Sequence, residues 1–183
     1  MEQYSSRSAA FIGIRPEQMP ALNDDESDQC TALIVLLIKE IDRFFQAGCT
    51  TFYCSAAPGI GILCGELLAV KREVSSPDLQ LICTIPHRNH ALRFSSIWKL
   101  RNRYLLRDAD SIIMTGDQKE PDSIYQQYKY MIDQSDLTVL VMGTEAEDDD
   151  LSHAFDYARI SGKDVLLINP FTLSRALFFG IRR

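Results

Sequence analysis

Along the chain, short unbroken apolar runs alternate with longer stretches of helical period. The runs are Ala9-Ala10-Phe11-Ile12-Gly13-Ile14, Thr51-Phe52-Tyr53-Cys54, 79–85, Ser111-Ile112-Ile113-Met114, 137–142 and Val165-Leu166-Leu167-Ile168. None alternates strictly between apolar and polar, which is how strands covered on both faces read. Between the first two, 28–47 places Ile34, Leu37, Ile41 and Phe44 on one helical face, and Gly48 follows where a helix end favours a left-handed residue. Further helices are predicted over 60–73, within 91–107, over 121–133 and over 152–161, the last closed by Gly162, with a final helix in the tail, 171–183. This alternation predicts a three-layer α/β fold, with a mostly parallel sheet of about six strands and helices on both faces. No linker or shift in composition divides the chain, so 1–183 reads as a single domain.

Composition narrows the class. With 183 residues, 46% hydrophobic and 24% charged, the chain carries too much apolar content for disorder, and 9 Gly and 7 Pro exclude a collagen-like repeat. The longest apolar run, 32–38, stops at Lys39 and Glu40, far short of the roughly 20 residues that cross a bilayer, so no membrane partner is expected. The opening MEQYSSRSAA lacks the apolar segment of an export signal, which makes the cytoplasm the expected compartment. Five cysteines without a CxxC pair fit reduced thiols rather than a disulfide framework or a zinc site. A net charge of −6 disfavours nucleic acid as a partner, and only 88–107 is locally basic.

In an open parallel sheet, ligands sit outside the carboxyl ends of the strands, which limits the search to a few loops. The first strand runs into Gly13-Ile14-Arg15-Pro16, where Gly13 permits close backbone approach, Pro16 stiffens the exit and Arg15 offers a planar fork for a phosphate or carboxylate. The second runs into Ser55-Ala56-Ala57-Pro58-Gly59-Ile60-Gly61, whose amides can cradle an anion at a helix start, or whose small residues simply make a tight turn. The third ends at Ile85-Pro86-His87-Arg88-Asn89-His90; its two histidines, even with Cys83, fall short of a zinc set and read as exposed loop histidines. Downstream, Trp98, Arg101, Asn102, Arg103 and Tyr104 either stack and pair a base or phosphate, or form a helix with a solvated basic face. After the fifth strand, Gly143-Thr144 precede an acidic run, 145–150, whose carboxylates would occupy a helix start and repel an anion. Ser55 and Cys54 have no evident base and His153 stands alone, so no catalytic residue, metal or cofactor is assigned.

With these residues laid out, the chain resembles the SLOG superfamily of Rossmann-like proteins, and within it the YpsA-like branch, over most of its length. The branch's Gly-x-Arg/Lys-Pro turn is matched by Gly13-Ile14-Arg15-Pro16, and its Ser-Gly-Gly-x-x-Gly loop by Ser55 and Gly59, with Ala56 and Ala57 where two glycines stand. Glu66 falls on the acidic residue of the following helix, and Pro86-His87 on a Pro-Phe strand end. The most specific likeness is Lys129-Tyr130-Met131-Ile132-Asp133-Gln134-Ser135-Asp136 to the branch's Arg-Tyr-Met-Val-Asp-x-Ser-Asp. The branch's Gly-Gly-Thr loop is replaced near Asp148-Asp149-Asp150.

The resemblance implies a pocket for a nucleotide or nucleotide derivative. Joined to the loop chemistry, it leads to a cytoplasmic sensory or regulatory module with a ligand held by Gly13, Arg15, Pro16, Ser55, Ala56, Pro58, Gly59, Gly61, Glu66 and Pro86, and with Gly143 and Thr144 lining the far wall. Two alternatives stay open: a phosphoribohydrolase-like enzyme using Glu66 as acid or base, and a protein-interaction scaffold that has lost its ligand. A homo-oligomer is compatible with each.

Overall fold

A computed structural model describes residues 7–143 and 149–181. Strands β1 (Ser8–Gly13), β2 (Thr51–Ser55), β3 (Gln80–Ile85), β4 (Ser111–Met114), β5 (Leu137–Val141), β6 (Asp164–Ile168) and β7 (Arg175–Phe178) form one sheet in the order β4-β3-β2-β1-β5-β6-β7. All pairings are parallel except β6 with β7. The helices are α1 (Asp28–Gln46), α2 (Ile60–Ser75), α3 (Ser96–Asp108), α4 (Ser123–Gln134) and α5 (Asp149–Ile160). The result is the expected three-layer α/β fold, with seven strands among the described residues rather than about six.

The unbroken apolar runs lie where the sheet is covered twice. Helices α2 and α4 both pack across β1, β2 and β3, and every residue of β5 is buried. Phe11 of β1, wholly buried, meets Phe44 of α1 and Phe52 of β2 with ring centroids 6.2 and 6.3 Å apart, joining a helix layer to the sheet. The face of α1 foreseen from its spacing is the buried one, and Ser27 caps the helix by accepting the Cys30 amide at 3.3 Å. Gly48 and Gly162 end α1 and α5 at φ 92° and 76°. The edge strand β4 is the exception to burial, with Ile112 and Met114 about half exposed.

The tail departs from expectation: it is β7, not a helix. Asn169 Oδ1 accepts the amides of Phe171 and Thr172 at 2.9 and 3.1 Å, Leu173 adopts φ 57°, and the chain turns back antiparallel along β6. Arg175 then donates to both oxygens of the fully buried Glu40 at 2.8 and 2.9 Å, and Arg43 pairs with the same carboxylate. A buried carboxylate is costly unless paired, so this contact ties the tail to α1.

All five cysteines are buried and free. Burial raises every one of these thiols, Cys49 and Cys83 to about 12. A charged thiol reagent at pH 8 is therefore expected to label the native chain slowly and all five cysteines once it is denatured; rapid stoichiometric labelling of the native protein would contradict the burial. In urea titration, Arg175→Ala should cost about 2 kcal/mol, toward the low side for a broken buried pair because Arg43 stays on the carboxylate.

Candidate functional site

The carboxyl ends of β1 to β4 converge on one cavity of about 820 Å³. Arg15 enters it from beyond β1, Ala57 and Pro58 from beyond β2, Pro86, His87, Asn89, His90, Leu92, Arg93 and Phe94 from beyond β3, and Asp117, Gln118 and Lys119 from beyond β4, with Ile124 of α4 closing a side. Its volume is in the range of small-molecule sites, roughly 300–1,000 Å³. Among the described residues lining it, three cationic side chains and two histidines accompany one carboxylate, Asp117. This is a cationic hollow on a chain of net charge −6.

Two backbone contacts build the wall that carries Arg15. The first amide of α2, Ile60, donates to the Ile14 carbonyl at 3.1 Å, and Ile14 N–H donates to the Val141 carbonyl at 3.0 Å. The loop after β2 thereby lies directly on the loop after β1. Gly59, at φ 96°, makes the approach sterically feasible: a Cβ there would strike the Ile14 carbonyl and sit 2.8 Å from Arg15 Cα. Arg15 N–H donates to Gln18 Oε1 at 2.8 Å, and its carbonyl accepts from the amides of Gln18 and Met19, so the 15–19 turn is held by its own bonds. Pro16 is buried within it.

The expected amide cradle is narrower than the sequence suggests. Ile60 N–H is taken by Ile14 and Ile62 N–H by the Ala57 carbonyl, leaving the amides of Ala57 and Gly59 without a partner among the described residues. Ser55 is buried beneath the loop with Gly61 packed on it, and Ala56 is wholly buried. Of the residues singled out from sequence, Arg15, Pro58 and Pro86 line the cavity, while Gly13, Pro16, Ser55, Ala56, Gly59 and Gly61 lie behind the lining and shape it. Gly143 packs against Phe171 outside the cavity, and Thr144 lies outside the described residues, as do 145–148.

Glu66 sits elsewhere. It accepts from Arg101 Nε and Nη2 at 2.9 and 2.6 Å, at a groove between α2 and α3. Arg101 also donates to Asp25 at 3.2 Å and stacks over Trp98 at 4.4 Å, while Trp98 Nε1 donates to Asn23 at 2.8 Å. Burial opposes the Arg101 charge, but Glu66 and Asp25 hold its pKa above the usual value. Trp98, Arg101 and Asn102 thus turn inward as structural groups, and of the aromatic–basic cluster Arg103 and Tyr104 face solvent.

The histidines also differ from expectation. His87 is 9% exposed and His90 half-buried, and both line the cavity instead of projecting from an exposed loop. His87 lies just beyond the end of β3, and the short 3-10 turn His90–Arg93 carries His90. Sequence reasoning passed over 117–119 and Ile124; the strand-end rule extended to the fourth strand reaches the polar loop Asp117-Gln118-Lys119. Among the described residues there is no cluster of three or more histidine, cysteine or acidic side chains arranged to hold a metal, and no helix long and apolar enough to cross a membrane.

Fold and site together define a Rossmann-like protein with a cationic cavity at the carboxyl ends of its first four strands. A family model, YpsA, described as the YspA SLOG family, matches residues 9–172, and the chain belongs to that family. Among curated proteins, no relative matches the sequence.

The family-like stretch from Lys129 to Asp136 lies away from the cavity. Met131 and Ile132 are core, Asp133 accepts from Tyr157 at 2.7 Å, and the Asp136 carboxylate accepts the amides of Arg7 and Ser8 at 2.9 and 3.1 Å, at the opposite end of the strands. Gly59→Ala tests the loop contact: it should cost at least about 2 kcal/mol in urea titration, since it adds left-handed strain to a clash with backbone. An unchanged midpoint would mean that the two loops do not meet as described.

Proposed function

We infer that this chain is a binding module for an anionic, nucleotide-like small molecule, held in the cavity above β1 to β4 and serving a sensory or regulatory role in the cytoplasm. The observation that carries this reading is that Arg15 and Pro58, from loops about 40 residues apart in sequence, line one cavity together with His87, His90, Arg93 and Lys119. Arg15, Arg93 and Lys119 supply charge for a phosphate, and Ala57 lies in the same wall with Gly59 just behind it, neither amide having a partner among the described residues. Phe94, Leu92, Ile124 and Pro86 supply an apolar side suited to a base. Family membership supports a nucleotide-related ligand and leaves its identity open.

The hydrolase alternative finds little support. Its proposed acid or base, Glu66, is ion-paired with Arg101 at the α2–α3 groove and is not among the cavity residues. Thermal-shift measurements against AMP, ADP-ribose, NAD and cyclic nucleotides test the binding reading. A ligand at a hundred times its Kd stabilises by about 2.7 kcal/mol, which is roughly 5–10 °C for a chain of this size. Arg15→Ala should weaken the responding nucleotide about tenfold or more. No shift across the panel would favour the scaffold that has lost its ligand; an Arg15→Ala protein with undiminished affinity would remove Arg15 from the site.

A further inference from the structure

Asn102, buried on α3, joins two walls of the cavity. Its Nδ2 donates to the Ala56 carbonyl at 2.7 Å and lies 3.2 Å from His90 Nε2. The Ala56 carbonyl is only an acceptor, so the amide nitrogen must face it and the carboxamide cannot be flipped. The second N–H of the same group then points to His90, and Nε2 must be the unprotonated nitrogen. The His90 ring is further held edge-on against Phe94, with centroids 5.6 Å apart. One small polar side chain thus ties the loop after β2 to the turn after β3.

We propose that Asn102 is the positioning residue of this cavity, and that its bond to neutral His90 is a pH-sensitive tie between the β2–α2 loop and the His90–Arg93 turn. Protonating His90 places an N–H on Nε2, opposite the N–H of Asn102. The bond to His90 is then lost, and Asn102 cannot rotate to restore it without abandoning Ala56. Among the described residues, the titratable and charged groups sharing the cavity with His90 are Arg15 from the β1 loop, His87 from the β3 loop, Arg93 from the turn itself, and Lys119 and Asp117 from the β4–α4 loop; α4 contributes Ile124, and α3 meets the ring through Asn102. Burial pushes the His90 imidazole below its usual 6.5, the His87 carbonyl pulls it partly back, and the His87 ring pushes it down again. The tie is therefore intact above about pH 6.5 and is lost as pH falls through the lowered value.

The tie itself is a property of the ligand-free chain; its consequence, that the Ala57 and Gly59 amides keep their place for an anion, rests on the binding reading above. The test uses the full ¹⁵N-labelled chain without ligand, following the His90 ring nitrogens and the amides of Ala57 and Gly59 by NMR between pH 8 and pH 5. At pH 8 the His90 proton should be on Nδ1. On acidification, both amides should move with the His90 midpoint, below 6.5. His90→Gln keeps an acceptor for Asn102 but does not titrate, so it should retain the neutral-pH amide positions and lose the step. Asn102→Ala should leave His90 titrating and uncouple the amides from it. A His90 proton on Nε2 at pH 8, or an amide step that survives His90→Gln, would overturn the proposal. Neither result depends on whether a nucleotide binds.

Discussion

The site depends on a single close approach of backbone to backbone. The Ile14 carbonyl accepts the first amide of α2, and Gly59 lies against the Cα of Arg15. With that contact, the ends of two neighbouring strands become one wall, and a guanidinium comes to share a cavity with the turn that starts a helix. Without it, each loop would be an ordinary strand exit. The contact uses up the Ile60 amide, so the helix start contributes to the site mainly through shape and through the two amides that precede it. This is a weaker anion cradle than a fully open helix N-terminus, where several unbonded amides face the guest. The cationic side chains of the cavity, Arg15, Arg93 and Lys119, come instead from three loops.

The distribution of charge follows the same division of labour. On a chain of net charge −6, two acidic groups outside the cavity are engaged by a cation of the architecture. Glu66 and Asp25 are held by Arg101, and Arg101 is held by its stacking on Trp98. At the far edge of the molecule, Glu40 is neutralised by Arg175 and Arg43. These pairs belong to the architecture, linking α1, α2, α3 and β7, and they keep carboxylates away from the cavity that an anion would enter.

Periodicity alone was enough to read most of the fold. Strands covered on both faces are continuous apolar runs, and the buried face of α1 follows from its spacing, because burial and sequence pattern are two views of the same constraint. The tail was misread because its strand character comes from outside the segment: Asn169 makes the turn, β6 supplies the ladder and Glu40 captures Arg175, and four residues of strand carry no period of their own. In the site, Arg15 and Pro58 were legible because strand ends are where chemistry gathers. The inward path of His90 was not, because it depends on a 3-10 turn whose anchor, Asn102, comes from another helix. The most family-like stretch, ending at Asp136, holds the start of β1 and lies at the end of the sheet away from the cavity. Likeness was strongest where the architecture is fixed, and the chemistry lay in loops where it was weaker.

The start of α2 also packs against the place where the strand order turns. Strand order reverses between β1 and β5, and in open α/β sheets that reversal usually opens the binding crevice. Here Ile60, fully buried, packs against the end of β1: a Cβ on Gly13 would lie 2.9 Å from Ile60 Cγ1 and 2.7 Å from the Val141 carbonyl. Gly13 is therefore small enough to admit Ile60 and Val141. Among the described residues, the cavity reached by Arg15 and Pro58 extends toward β3 and β4, where the segment 86–94 supplies the opposite wall. The same isoleucine packs its side chain against Gly13 while its amide joins the loops after β1 and β2, so that both contacts are consequences of how α2 begins.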